Sequence, residues 1–137
     1  MSKTSVKYGS PAYSNGPDVI VDFVFDRGML FISVENIGDK PAYEVRIKFS
    51  EAMRGIEGKE ISSLPLFRNL EFLAPHKQIS TFLDSSASYF RSGQPTKISA
   101  AVTFKDADGG KKAVTIRHNL EIYREIAYAQ LATSSPE

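Results

Sequence analysis

The two histidines, His76 and His118, are the residues best suited to acid–base catalysis at neutral pH. A hydrolytic triad needs a histidine within hydrogen-bond reach of a nucleophile and a carboxylate, and no G-x-S-x-G nucleophile motif occurs in the chain. His118 falls on the same predicted strand side as Val114 and Ile116, which favours a core-edge histidine bonded to a backbone group. His76 follows a proline in a turn and is expected to be exposed. We predict no catalytic residue.

Metal and cofactor sites are also not indicated. The segment DADGG, Asp106–Gly110, resembles the opening of a calcium loop, but position twelve from Asp106 is Arg117 rather than the required glutamate. A hairpin turn is the favoured interpretation. Two isolated histidines do not form a zinc site, no glycine-rich phosphate loop is found, and no carboxylate pair stands out for glycoside hydrolysis. The sequence predicts no metal and no cofactor.

Composition narrows the possible classes further. The 137 residues include no cysteine, which removes disulfides, thiolate nucleophiles and Cys-based zinc sites. The 17 Lys and Arg nearly balance the 16 Asp and Glu, whereas a general nucleic-acid or membrane-surface binder carries a larger basic excess. The first residues show no signal-peptide pattern, and no apolar run is long enough to span a bilayer. We expect a cytoplasmic protein without membrane insertion.

Alternating apolar and polar residues between turn signals predict strands along most of the chain. In Tyr43–Phe49, the side chains of Tyr43, Val45, Ile47 and Phe49 share one side. A short strand is also predicted near Ile61. The other predicted strands are Val19–Phe25, Met29–Asn36, Leu66–Leu73, Gln78–Leu83, Lys97–Phe104 and Ala113–Tyr123. About seven strands without a convincing amphipathic helix predict an all-β antiparallel sandwich, with a small β-barrel as the alternative.

The chain is divided into three parts. Residues 1–17 are rich in Ser, Gly and Pro and are predicted to be a flexible arm. Residues 18–126 form the sandwich and 127–137 a tail. Asn36 and Gly38, residue types that tolerate positive φ, predict that the polar segment before Tyr43 is a turn joining two long antiparallel strands.

The stretches VENIGDKPAYEVRIKF (34–49) and LEFLAPHKQISTFL (70–83) resemble the Asn-x-Gly and L-x-P-G turns of immunoglobulin-like bacterial modules, most closely the cell-adhesion-related CARDB type. The matching residues are Asn36, Gly38, Ala42, Val45, Ile47 and Pro75. His76 stands where that family usually has glycine. The resemblance implies an immunoglobulin-like sandwich used for display or interaction, usually inside larger exported proteins.

One set of charges suggests a binding surface. If the third strand pairs with the last two, their polar sides coincide and gather five cations, with Glu44 and Glu121 as the only acids. The five candidate partner-binding residues are Arg46, Lys48, Lys97, Lys105 and Arg117. Such a face could recruit an acidic protein segment or a phosphate-bearing partner. The alternative is a solvated face whose cations discourage aggregation.

The sequence favours a non-catalytic interaction module that binds an unidentified protein partner or associates with itself. A second class is a small-ligand-binding or hydrolytic protein with a site built from the loops 50–65 and 84–96. A third is a weak polyanion or nucleic-acid binder that uses the basic sheet face, for which steep salt dependence would be diagnostic.

Overall fold

The computed structural model describes residues 16–124 and residue 126. The predicted arm (apart from Gly16 and Pro17) and the predicted tail lie outside the described residues. The elements are β1 (Val19–Asp26), β2 (Met29–Asn36), β3 (Ala42–Phe49), α1 (Pro65–Arg68), β4 (Leu70–Leu73), β5 (Gln78–Ser85), α2 (Ser86–Arg91), β6 (Lys97–Lys105) and β7 (Lys111–Asn119). In the described part of the chain, no helix is long and apolar enough to cross a membrane.

The strands form two antiparallel sheets. A three-stranded sheet has the order β1-β2-β5, and a four-stranded sheet has the order β4-β3-β6-β7. Within the described residues the sheets do not close on each other, so the predicted all-β sandwich is confirmed and the barrel alternative is wrong. The β1–β2 hairpin turns at Arg27 and Gly28, whose φ angles of 53° and 80° suit a tight two-residue turn.

The core lies between the sheets and follows the period of two that strands impose on side chains. On β6, Ile98, Ala100, Val102 and Phe104 are buried while the residues between them face outward. The inner sides of β1 and β2 supply the opposing layer, with Val19, Val21, Phe23, Leu30, Ile32 and Val34 all at most 2% exposed. Complete burial of one such large side chain contributes about 1.5–3 kcal/mol.

A β-bulge interrupts the predicted alternation of inward and outward side chains along β3. Glu44 takes a positive φ of 51°, and the pairing of β3 with β6 shifts register between Tyr43 and Arg46. This bulge moves Ala42 into the core and turns Tyr43 outward, where its ring meets Phe72 edge-on at 5.5 Å. The prediction that Tyr43 faces the core with Val45 is wrong, because nothing in the alternation marks the extra residue.

The segment after Asn36 joins the two sheets instead of two paired strands. Asn36 is fully buried at the end of β2, and its Oδ1 accepts the backbone N–H groups of Asp18 (3.1 Å) and Gly38 (3.0 Å). Its Nδ2 donates to the carbonyls of Lys40 (2.8 Å) and Leu73 (3.2 Å). One amide thus connects the entry to β1 in one sheet with the end of β4 in the other.

The prediction that Asn36 and Gly38 are needed here for positive φ is wrong. Neither residue has positive φ. A Cβ built on Gly38 would lie 2.0 Å from the Gly16 carbonyl oxygen, so glycine is required there by close backbone approach. A different residue in this part of the sheet junction, His76, has the positive φ of 60°. It follows Pro75 in the turn that the Lys77 N–H closes onto Ala74.

Two connections fold differently from expectation. No strand forms near Ile61, which lies in the 3₁₀ turn Ile61–Ser63, and α1 replaces the first half of the strand predicted over 66–73. The segment 84–96 contains α2. Two aromatic side chains anchor this segment: Tyr89 is fully buried and donates a 2.6 Å hydrogen bond to the Pro95 carbonyl, while Phe90 packs against the core.

The last strand is shorter and more exposed than predicted. β7 ends at Asn119, and the chain then turns with Leu120 buried and Ile122 57% exposed. Val114, predicted to face the core, is 38% exposed because β7 is an edge strand whose inner side is only partly covered. Ile116 and His118 are half-buried on that inner side.

Candidate functional site

All five predicted partner-binding residues lie on the outer side of the four-stranded sheet. Arg46 is opposite Thr103, Lys48 opposite Ala101, and Arg117 opposite Ser99, so the strand order required by the prediction is present. The register adds a sixth cation, Lys111, directly opposite Lys105. We call this surface the basic face, defined by Arg46, Lys48, Lys97, Lys105, Lys111 and Arg117.

Small side chains occupy the middle of the basic face. Ala101 and Thr103 on β6 pair with Thr115 and Ala113 on β7, and all four residues are exposed. The longer cationic side chains stand around this shallow centre. The surface is therefore open to a flat or extended partner, with positive groups on β3 and β7 to either side of its centre.

Glu44 is the carboxylate that the bulge of β3 places on the basic face. Its Oε1 lies 3.2 Å from Lys105 Nζ and 3.9 Å from Arg46 Nη1. The predicted second acid, Glu121, is not on the strand, since β7 ends before it. It bonds Arg124 at 2.8 and 3.1 Å, and this bond lowers the pKa of Glu121. Among the described strand residues facing outward from β3, β6 and β7, six cations face one carboxylate.

A cavity of about 700 Å³ adjoins the basic face where the segment 51–68 folds beside β3. Phe49 and Phe67, in edge contact at 5.0 Å, form part of its apolar floor. Its charged rim carries Arg46, Lys48, Glu51, Glu60 and Arg68. The loop 50–65 predicted as a ligand site does contribute to this cavity, while the second loop, 84–96, supplies none of its lining.

The opposite side of the molecule carries a surface of the other sign. The outer side of β1, β2 and β5, which we call the acidic face, presents Asp22, Asp26 and Glu35 around Ile20, Val24, Phe31 and Phe82. These three strands contain no Lys or Arg. Sequence analysis missed this face, although the strand sequences VIVDFVFD, MLFISVEN and QISTFLDS carry four acids and no cation.

The histidines lie away from both outer faces. His118 Nε2 is 3.0 Å from the Val21 carbonyl, and its ring meets Phe23 edge-on at 4.9 Å. Tyr123 donates its hydroxyl to the Phe23 carbonyl at 2.8 Å. These bonds cover the free edge of β1, so the predicted core-edge histidine bonded to backbone is confirmed. His76 is exposed, as predicted.

The acidic hairpin at Asp106 uses its carboxylate internally. Asp106 Oδ1 accepts the N–H groups of Asp108 (3.0 Å) and Gly110 (2.7 Å), which holds the turn between β6 and β7. The predicted hairpin is confirmed. Across the described ranges, no group of three His, Asp or Glu residues is arranged to hold a metal ion.

A family model described as a domain of unknown function, DUF8453, matches residues 10–124. The chain belongs to the DUF8453 family. The match spans every strand of the sandwich and both outer faces of the DUF8453 domain. No curated protein and no solved structure matches the chain.

Proposed function

We propose that this DUF8453 domain is a non-catalytic interaction module whose basic face binds an acidic segment or surface of a protein. The observation that carries the proposal is the ratio of six outward cations to one carboxylate on β3, β6 and β7, in a chain whose formal net charge is only +1. The edge strand β4 adds one further exposed acid, Glu71. A local excess of this kind steers and orients an oppositely charged partner.

The strength of such binding can be bounded. An exposed ion pair contributes about 0.5 kcal/mol, so six contacts give about 3 kcal/mol, or roughly a 100-fold preference for an acidic over a neutral partner. Glu44 already engages Lys105 and Arg46, which reduces this figure. We expect weak, selective binding that decreases as salt is added, because exposed charges are screened.

The architecture supports an immunoglobulin-like module. The order β1-β2-β5 with β4-β3-β6-β7 corresponds to strands A-B-E and C′-C-F-G of such sandwiches. The resemblance to CARDB-type modules gains support from His76, which adopts positive φ at the position where those modules usually have glycine. An interaction role by this analogy is a proposal drawn from fold.

The test is fluorescence anisotropy with a labelled twelve-residue peptide of alternating Glu and Thr. The variant Arg46→Glu/Lys48→Glu/Arg117→Glu is compared with Lys40→Glu/Lys59→Glu/Lys77→Glu, which changes the net charge equally at exposed positions outside the basic face. We expect at least tenfold weaker binding for the first variant and less than threefold for the second. Equal loss in both would overturn the proposal, because it would reflect net charge alone.

A peptide with Gln in place of Glu and a twelve-nucleotide single-stranded DNA separate the alternatives. Protein recognition predicts that the Glu peptide binds more tightly than both. DNA that binds more tightly than the peptide, with a steeper loss of affinity in salt, would favour a nucleic-acid binder instead.

The cavity beside β3 supports a second candidate, a site for a small amphipathic anion. Its apolar floor of Phe49 and Phe67 could hold a ring or short chain, while Lys48 and Arg68 on the rim could bind a carboxylate. Titration with phenylpropionate followed by NMR tests it. Saturable shifts at Phe49 and Phe67 that persist in Lys40→Glu and weaken in Arg68→Glu would support a ligand site, and no shift at millimolar ligand would exclude it.

A further inference from the structure

The acidic and basic faces are complementary to each other in charge. Strands β1, β2 and β5 carry four acids and no cation. Strands β3, β4, β6 and β7 carry seven cations and two acids, Glu44 and Glu71. Because the two faces lie on opposite sides of one sandwich, the charges of one copy cannot neutralise each other by direct contact.

The faces also differ in the side chains at their centres. On the acidic face, Phe31 and Phe82 meet at 5.6 Å with their rings at 62°, and Val24 pairs beside Phe31. These half-buried side chains form an apolar centre, flanked by Asp22 and Glu35. On the basic face the middle consists of alanines and threonines, with cations on β3 and β7 to either side.

An edge-to-edge contact through β1 is disfavoured. Its outward carbonyls at Val21 and Phe23 are bonded by His118 and Tyr123, and the Phe23 N–H is bonded by Asp22 Oδ1 at 2.9 Å. A strand arriving at this edge would find those groups already occupied. Pairing through the β1 edge would have to displace these bonds, whereas docking through the acidic face leaves them in place.

We propose that the partner of the basic face is a second copy of this chain, docked through its acidic face. This inference rests on the proposed function, because it names the acidic surface that the basic face binds. The contact is heterologous, so each docked copy leaves one face of each kind free. Copies then add in a linear stack whose mean length rises with protein concentration.

The contact area predicts weak association. With strands about 4.8 Å apart and a rise of about 3.3 Å per residue, three strands of eight residues cover roughly 370 Å² on each partner. The total of roughly 750 Å² is below the 1,200–2,000 Å² or so of stable complexes. Stacking is therefore expected to be weak, to need a high protein concentration and to occur only at low salt.

Sedimentation velocity of the full chain at 20 and 500 mM NaCl tests the stack. At 20 mM NaCl we expect the weight-average mass to rise steadily above 15.2 kDa as the concentration increases to 0.5 mM. At 500 mM NaCl the mass should return to that of one chain. A mass that remains at one chain in both salts would overturn the inference.

Two variants identify the faces in contact. The first, Arg46→Glu/Lys48→Glu/Arg117→Glu, disables the basic face. The second, Asp22→Asn/Glu35→Lys, disables the acidic face while the Asn oxygen can still accept the Phe23 N–H. Thermal unfolding confirms that both are folded, and each alone should be monomeric.

An equimolar mixture of the two variants provides the decisive result. The first variant retains an acidic face and the second a basic face, so the mixture should form a complex of two chains that does not grow further. Absence of that complex would overturn the inference. If it is absent while the wild-type chain still binds the Glu-Thr peptide and the first variant does not, the proposed function stands and only the choice of partner is wrong.

Discussion

The two outer faces of this sandwich are built by the same alternation but differ in what they present to solvent. On the inner side both sheets offer Val, Ile, Leu and Phe, and these residues fix the fold. On the outer side one sheet offers acids around an aromatic centre, and the other offers six cations around small side chains. The difference teaches that a nearly neutral chain can conceal two strongly opposed surfaces.

The largest expected effect comes from breaking the junction that holds the two sheets together. Asn36→Ala removes four hydrogen bonds and leaves backbone groups of Asp18, Gly38, Lys40 and Leu73, two of them in buried bonds, without that partner. We expect a loss of about 3 kcal/mol in the free energy of unfolding, measured by urea denaturation. Asn69→Ala is the control, since the Asn69 side chain is exposed, and it should cost less than about 0.5 kcal/mol. Similar values for the two variants would contradict the role of Asn36.

An intermediate loss of stability is expected at the edge of β1, where His118 and Tyr123 bond the carbonyls of the strand. Tyr123→Phe keeps the stacking on Phe25 but loses the hydroxyl bond to the Phe23 carbonyl, which should cost about 1 kcal/mol. Tyr43→Phe is the control, because that ring lies on the opposite outer face. A cost for Tyr43→Phe as large as that for Tyr123→Phe would contradict the edge-cap role.

The same tyrosine predicts a pH dependence. Burial, and then the charge of Asp22, raise the pKa of Tyr123, and burial raises the pKa of Tyr89. The stability that these protonated tyrosines contribute is therefore complete below their unfolded pKa of about 10. It is lost as the pH rises through their pKa values in the folded protein. Urea denaturation from pH 8 to 11 should show falling stability at the alkaline end, with a smaller fall in Tyr123→Phe. An identical fall in the variant would show that Tyr123 does not contribute.

The smallest expected effect is on peptide binding, when the acidic side chain of Glu44 is removed from the basic face. Glu44→Gln removes the carboxylate from the basic face and should tighten binding of the Glu-Thr peptide about twofold, with stability changed by less than about 0.5 kcal/mol. Glu57→Gln is a matched control, because Glu57 is also acidic, exposed and at positive φ, yet lies in a 3₁₀ turn. Equal tightening in both variants would show that only the net charge matters.

The sequence predicts the layers of this fold better than it predicts the junctions. Period-two burial identified the inner residues of β6 and the strand order brought Arg46, Lys48 and Arg117 to one face. The bulge at Glu44 could not be predicted, since it depends on the register with β6. Asn36 was recognised as important, but for backbone freedom instead of its four hydrogen bonds, because its partners are distant in sequence.

The central claim is that the basic face of the four-stranded sheet binds acidic protein, and NMR mapping tests it most directly. Amide shifts of dilute, isotopically labelled chain are followed as the Glu-Thr peptide is added at 20 mM NaCl. The account predicts saturable shifts concentrated in β3, β6 and β7, around Arg46, Lys48 and Arg117. Shifts concentrated in β1, β2 and β5, or no shifts at millimolar peptide, would contradict it.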